Sequence, residues 1–441
     1  MANRMTLSIK ARLVFFTVCG LLIFNYGFMQ LRVASVPLAE IILLLFLLTA
    51  NLPVLLRRFS YTLNSVPIYM WWCFGLFSAG YYLSINGIWA LRDASQVIES
   101  LYILVGFSVF SVVNNRRYIL SKYPGFIFIL CIYALTYPFS VFLKSLSPTI
   151  VAGAGHSTPI LFNYTNSSMM LLLGALFLVV SVRNDFIFQK YGVVTAAILL
   201  LFSVGFFQAR TLYLQIIGLV VILLYVKPSV AKQWLYILMA ALLLLLLVSF
   251  SGLEIEGRLG QRLSGEFLVN HVGTIFGVES AGLEGTADGI GQRIGWWLDI
   301  YDRLSADLIA MLVGLGFGFP LVDFGIAHGV MVREPHNSYI SILARTGLLG
   351  FLLWLWMHWQ LFKCWRFSHQ KCKQFQWRAG EKMLIMMLAY FVFIWCLAIG
   401  EDAFEKPYNA VPYYFFWGIV IRIAWFAKHN MIRENGIINQ C

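Results

Sequence analysis

The chain has 441 residues, of which 60% are hydrophobic and only 12% charged, and its mean hydropathy is +0.78. A soluble domain carries about 25% charged residues, so composition excludes a soluble fold and points to a bilayer, where each buried charge is costly. The net charge of +12 would suggest nucleic acid in a soluble protein; here it reads as basic loops that hold a membrane topology, and no nucleic-acid partner is expected.

Apolar runs long enough for a helical span fall near 12–30, 36–56, 66–84, 95–113 and 124–143, then near 165–182, 191–209, 211–226 and 234–251. Three more follow near 337–361, 383–400 and 409–426. The first run ends in Gln30-Leu31-Arg32 with no small-residue cleavage site, so it reads as an uncleaved span rather than a signal peptide. The segment 85–96, with Trp89, Arg92 and Asp93, reads as a helix lying in the interface. The stretch 191–226 is too long for one span and is expected to fold as a hairpin with Arg210 at its turn. The expected fold is all-α and polytopic, with about twelve transmembrane helices and one large helical periplasmic loop. The expected segments are 1–190, a core at 191–360 that includes the loop 251–335, and 361–441.

Charge supports this layout. With the N-terminus inside and strict alternation, most basic residues fall on the inner side, among them Arg57, Arg58, Arg116, Lys227, Lys371 and Arg422, while the acids gather outside. No cysteine falls in an outer loop, so no disulfide framework is expected there. Neither a zinc-ligand spacing nor a Gly-x-x-x-x-Gly-Lys phosphate loop is present.

The loop 251–335 breaks the hydropathy with charges and glycine-rich turns. Its stretch 290–304 reads as an amphipathic helix with Ile294, Trp297, Ile300 and Tyr301 on one face, and Arg293 one turn before Trp296 and Trp297. A second helical stretch, 306–313, stops at Gly314-Leu315-Gly316-Phe317-Gly318-Phe319-Pro320. The loop closes with Glu334-Pro335-His336-Asn337-Ser338-Tyr339 and runs into the tenth span. Pro335 favours a helix start, so His336 is expected beside a helix N-terminus, where free N–H groups attract anions and an imidazole is placed for general-base work. Glu401, Asp402 and Glu405 read as a solvated outer loop, His271 as an incidental histidine, and Gly347 and Gly350 as helix-packing positions.

His336-Asn337, followed at fixed spacing by Gly347 and Gly350, resembles the pattern of the bacterial O-antigen ligase and Wzy-type polymerase superfamily. The likeness covers roughly 195–360 and includes Arg210 at the outer start of a span, Arg293 with Trp297 in the outer loop, and Gly314, Gly316 and Gly318 ahead of His-Asn-Ser-Tyr. The N-terminal spans are similar in layout only. Arg345 departs from the pattern, standing where many relatives have Glu.

The resemblance implies a metal-independent, cofactor-free, inverting glycosyltransferase in the bacterial inner membrane with its site facing the periplasm. It would move a glycan from undecaprenyl diphosphate to an acceptor hydroxyl, on lipid A–core in ligases or on another lipid-linked glycan in polymerases. It implies that Arg210 and Arg293 clamp the diphosphate and that His336 serves as base or orients the acceptor. Asn337 and Tyr339 would help bind substrate. Trp296 and Trp297 could stack on sugar rings or simply pack at the interface. Arg210 could equally be an interfacial anchor, and Arg293 could lie on the wet face of a surface helix. The loop 144–164 has no Arg, which inclines the reading towards ligase. A transporter of lipid-linked glycans is the reading from another class, and the scarcity of charge within the spans weighs against it.

Overall fold

The computed structural model describes residues 7–33, 36–61, 65–151, 157–181, 186–250, 257–258, 264–273, 284–322, 332–433 and 436–437. Helices dominate, and the described strands make only three two-stranded antiparallel hairpins. Helix α1 (Ile9–Met29) leads to α2 (Leu38–Thr49) and α3 (Leu52–Ser60), which meet at a 94° bend. The bend has a local cause: the Asn51 side chain caps α3 by accepting the Val54 N–H, and Pro53 occupies its first turn. Then come α4 (Val66–Asn86), α5 (Ile88–Asp93), α6 (Ser95–Ser100), α7 (Tyr102–Ser111), α8 (Val113–Leu135) and α9 (Ser140–Ser145). The middle of the chain holds α10 (Ser167–Ser181), α11 (Phe186–Phe207), α12 (Arg210–Val226) and α13 (Pro228–Phe250). The segment 251–335 contributes α14 (Gly265–Gly273), α15 (Glu284–Ser305) and α16 (Leu308–Val313). The chain ends with α17 (Ser338–Gln374), α18 (Arg378–Leu397) and α19 (Pro407–Lys428).

Among the described helices, α1, α8, α13, α17, α18 and α19 are long and apolar enough to cross a bilayer, and the bent α2–α3 pair adds a seventh. Four further apolar helical stretches are shorter, at Ser95–Ser111, Ser167–Ser181, Tyr191–Phe207 and Arg210–Val226. This is the make-up of an all-α membrane protein. The stretch 191–226 breaks into two helices as expected, with Gln208 in the left-handed backbone region (φ 46°) making the turn and Arg210 opening α12. The two are not the tight hairpin expected, however: α11 packs on α10 and α13, and α12 on α13 and α18. Two boundaries differ from expectation. The fifth run, read as 124–143, belongs to a helix that begins at Val113, because Asn115 and Arg116 are buried in the bundle rather than left in a loop. The stretch after 361 is also helical: α17 runs on to Gln374 and buries Cys364, Trp365, Ser368 and Cys372 on one face.

The centre of the bundle is α19, buried along nearly its whole length and packed on α7. Small residues allow the approach: a Cβ on Gly418 would lie 2.2 Å from the Ile103 carbonyl oxygen, and one on Gly106 2.0 Å from that of Phe415. A smaller core of Ile300, Leu304, Leu321 and Ala344 fastens α15 to the start of α17. Hydropathy alone hides buried charged groups between the helices, among them Glu99 at 1%, Arg116 at 4% and Arg422 at 6% exposure.

Candidate functional site

The start of α17 is built by a cap. Asn337 Oδ1 accepts from the backbone N–H groups of Tyr339 (3.0 Å) and Ile340 (3.1 Å). Its side chain is therefore engaged in ending the loop, in a largely buried position. His336 precedes it in the left-handed region, at φ 53°, a conformation that costs a non-glycine residue about 1–3 kcal/mol and persists only where neighbours enforce it. One such neighbour is Trp297, whose indole N–H donates to the Pro335 carbonyl at 2.9 Å. Trp296 lies beside the imidazole, with ring centroids 6.1 Å apart. The amphipathic face expected on α15 is correct in part: Ile300 and Leu304 are buried, whereas Ile294 and Tyr301 are exposed.

The other wall is the loop 398–406 between α18 and α19, which the sequence reading took for a solvated acidic loop. Burial corrects that expectation for part of the loop: Asp402 is 1% exposed and Ala403 and Phe404 are wholly buried, while Glu401 is exposed as expected. The loop is tied to α17 because the Ser338 N–H donates to the Ala398 carbonyl (3.0 Å), the Phe404 N–H to Ser338 Oγ (3.1 Å), and Ser338 Oγ–H to the Glu405 carboxylate. Asp402 Oδ2 stands 3.2 Å from His336 Nδ1, close enough for an ion pair though off the line of a hydrogen bond, and Glu401 Oε2 stands 3.8 Å from the same nitrogen. Glu405 has its pKa raised, first by burial and then by Asp402 and Glu334.

One arginine contacts this loop and the other lies near it. The Arg293 guanidinium, Nη1, donates to the Gly400 carbonyl at 2.8 Å. Arg210 opens α12 within electrostatic reach of Arg293 and Glu401, and its neighbour Thr211 would be 3.5 Å from a Cβ placed on Gly400. Residues 400–402 thus gather Arg210, Arg293 and His336 from three separate elements. His271, read as incidental, belongs to the rim: it is buried, its Nδ1 lies 3.1 Å from the Tyr213 hydroxyl, and burial followed by the Arg210 charge pushes it down to about 4.

Tyr339 faces elsewhere. Its hydroxyl donates to the Trp395 carbonyl (2.9 Å), and its ring lines an apolar cavity of about 720 Å³ between α12, α17, α18 and α19. Ile399, which also lines it, directly precedes Gly400, so the cavity borders the polar cluster.

Behind the cluster lies a buried ionic network. Arg345, 0% exposed, pairs with Asp93 at 3.0 Å and with Glu334, and Arg333 pairs with the same Asp93 oxygen at 3.3 Å. Asp93 Oδ2 also accepts the Gly318 N–H at 3.1 Å. The expected interfacial helix around Asp93 therefore turns its acid inward. Arg345 thus faces two carboxylates.

Among the described residues, no group of three or more His, Cys, Asp or Glu side chains is disposed to hold a metal ion. The loop 398–406 was missed in the sequence because three acids and a lysine read as solvated. The one available signal was Ala403-Phe404, an apolar pair embedded among them. Neither a scan against protein-family models nor a search of curated proteins finds a match to this chain.

Proposed function

We propose that this protein is a glycosyltransferase that moves a glycan from undecaprenyl diphosphate to an acceptor hydroxyl at the periplasmic face of a bacterial inner membrane. The preferred version is the O-antigen ligase reaction on lipid A–core, with polymerisation of a lipid-linked glycan as the alternative. The observation that carries the reading is the meeting of Arg210, Arg293 and His336 around residues 400–402, next to an apolar cavity.

A diphosphate leaving group demands fixed positive charge, and two guanidiniums supply it through permanent charge and planar donor geometry. The apolar cavity suits the isoprenoid chain of the donor. The acceptor oxygen attacks the anomeric carbon and the bond from that carbon to the diphosphate oxygen breaks. The acceptor proton passes to His336 Nε2, while the bond electrons leave with the diphosphate towards Arg210 and Arg293. A single displacement of this kind inverts the anomeric centre. Asp402, facing Nδ1, orients the imidazole. In this reading the chain crosses the membrane twelve times with both ends inside, and 251–335 and 398–406 share the periplasmic side.

The test is mass analysis of the product formed by purified protein from lipid-diphosphate glycan and candidate acceptors. His336→Ala is expected to abolish transfer while the protein stays folded, and retained turnover sinks the base assignment. In a deletion strain, uncapped lipid A–core indicates a ligase, whereas core carrying single repeat units indicates a polymerase.

A further inference from the structure

The positive-inside pattern accounts for cations that stay in water, such as Arg366, Lys373 and Arg378, which are exposed. It does not account for Arg422 and Arg116, which are 6% and 4% exposed. Arg422 lies on α19, 15 residues after Pro407, which places it about 22 Å along the helix axis from the end that carries the candidate site.

Three elements converge there. The Arg422 guanidinium stacks over Trp425 (4.0 Å), Phe426 (4.5 Å) and Phe107 (5.0 Å), and Arg116 from α8 stacks over the same Phe426 at 4.7 Å. Arg58, exposed on the last turn of α3, is near enough for its charge, like that of Arg116, to act on Arg422. Lys428 fixes this approach by donating to the Tyr61 carbonyl at 2.8 Å, which ties the end of α19 to the end of α3.

The rings satisfy only the faces of Arg422. Among the described residues, its buried Nε and Nη1 N–H groups have no hydrogen-bond partner and no carboxylate pairs with it. A buried guanidinium with open N–H edges, next to two like charges, is an incomplete arrangement: charge repulsion and lost hydration both oppose it. The in-plane fork that remains matches two oxygens of a phosphate.

We propose that Arg422, Arg116 and Arg58 form a binding site for a phosphate-bearing anion at the inner end of the bundle, supplied either by the headgroup of an acidic phospholipid or by free phosphate. The aromatic floor of Phe107, Trp425 and Phe426 holds the guanidiniums, and exposed Arg58 marks the mouth. Basic pockets between spans on the cytoplasmic side are a recurrent place for acidic lipid headgroups. The site is independent of the glycan-transfer reading, being at the other end of α19.

The experiment is thermal unfolding of the purified full-length protein in neutral detergent, titrated separately with phosphatidylglycerol, phosphatidylcholine and inorganic phosphate. Phosphatidylglycerol is expected to raise Tm saturably and phosphatidylcholine to leave it unchanged. A rise with inorganic phosphate alone supports the site and assigns it to free phosphate. Arg422→Gln should weaken the response by about tenfold, and the exposed control Arg366→Gln should not. Arg58→Gln, on the rim and tolerant in folding, should weaken it several-fold even if the Arg422 variant fails to fold. An equal response to both lipids without any response to phosphate, or a full response in Arg58→Gln and in any folded Arg422→Gln, overturns the proposal.

Discussion

His336 holds a backbone conformation that an L-residue avoids, and Pro335, Trp297 and the Asn337 cap fix it there. The side chain is thereby aimed at residues 401–402 rather than left to rotate over solvent. If Asp402 positions the imidazole, Asp402→Asn should lower kcat for transfer by roughly 10²-fold and change its pH profile, with donor KM little altered. An unchanged pH profile would reduce Asp402 to a structural role. Glu405 makes a second case. Its pKa is raised from 4.5 to about 8, chiefly by burial, so the folded state holds a proton that the unfolded state releases. That contribution to stability is full below about 4.5 and is lost as pH rises through about 8. Thermal unfolding of the detergent-solubilised protein should show Tm falling over this interval, and Glu405→Gln should flatten the slope. A slope unchanged in the variant would locate the titration elsewhere. The sequence marked His336, Arg210 and Arg293 by motif, but Asp402 and Glu405 were illegible because burial of an acid depends on what packs over its loop.

At the scale of elements, the run from Gly314 to Gly318 shows why glycine is required. All three glycines have positive φ, and a Cβ on Gly316 would stand 2.0 Å from the Tyr82 ring. The kink of α17 at Gly347 (φ 63°) fits against the same turn, where a Cβ would lie 2.4 Å from the Gly314 nitrogen. Two parts of the sequence pattern, far apart in the chain, are thus one packing contact. Gly316→Ala should destabilise the protein by about 1–3 kcal/mol, measured by denaturant or thermal unfolding, and a neutral result would mean that the turn leaves its positive-φ conformation and Tyr82 moves aside at little cost. Arg345 binds this turn through the Gly316 and Phe319 carbonyls and neutralises Asp93 and Glu334. Arg345→Ala leaves Glu334 without its cation and buried Asp93 with Arg333 alone, and should cost about 3–5 kcal/mol. Wild-type stability in that variant would show that water reaches the acids. Glycines and helix stops were legible in the sequence, since they obey local backbone rules. The partners of Arg345 were not, since Asp93 is distant in the chain.

For the whole molecule, the proposed topology makes opposite faces of the bundle chemically distinct. In a cysteine-free background, Ser305→Cys on exposed α15 should react with an impermeant thiol reagent from the periplasm, and Lys373→Cys, exposed at the end of α17, only after the membrane is opened. Labelling of both from one side rules out the twelve-pass arrangement. Composition alone determined that the chain is a helical membrane protein, because apolar length and the cost of stranded charge act on each segment independently. The sequence also determined the helix break before Arg210 and the helix start after His336, each set by residues within a few positions. Tertiary structure alone decided which charges leave water. Asp93, Asp402 and Arg422 read as interfacial, solvated or topological charges in the sequence, and all are buried. The physical reason is that burial and ion pairing are made by side chains contributed from different helices, so no local stretch of sequence contains the information that fixes them.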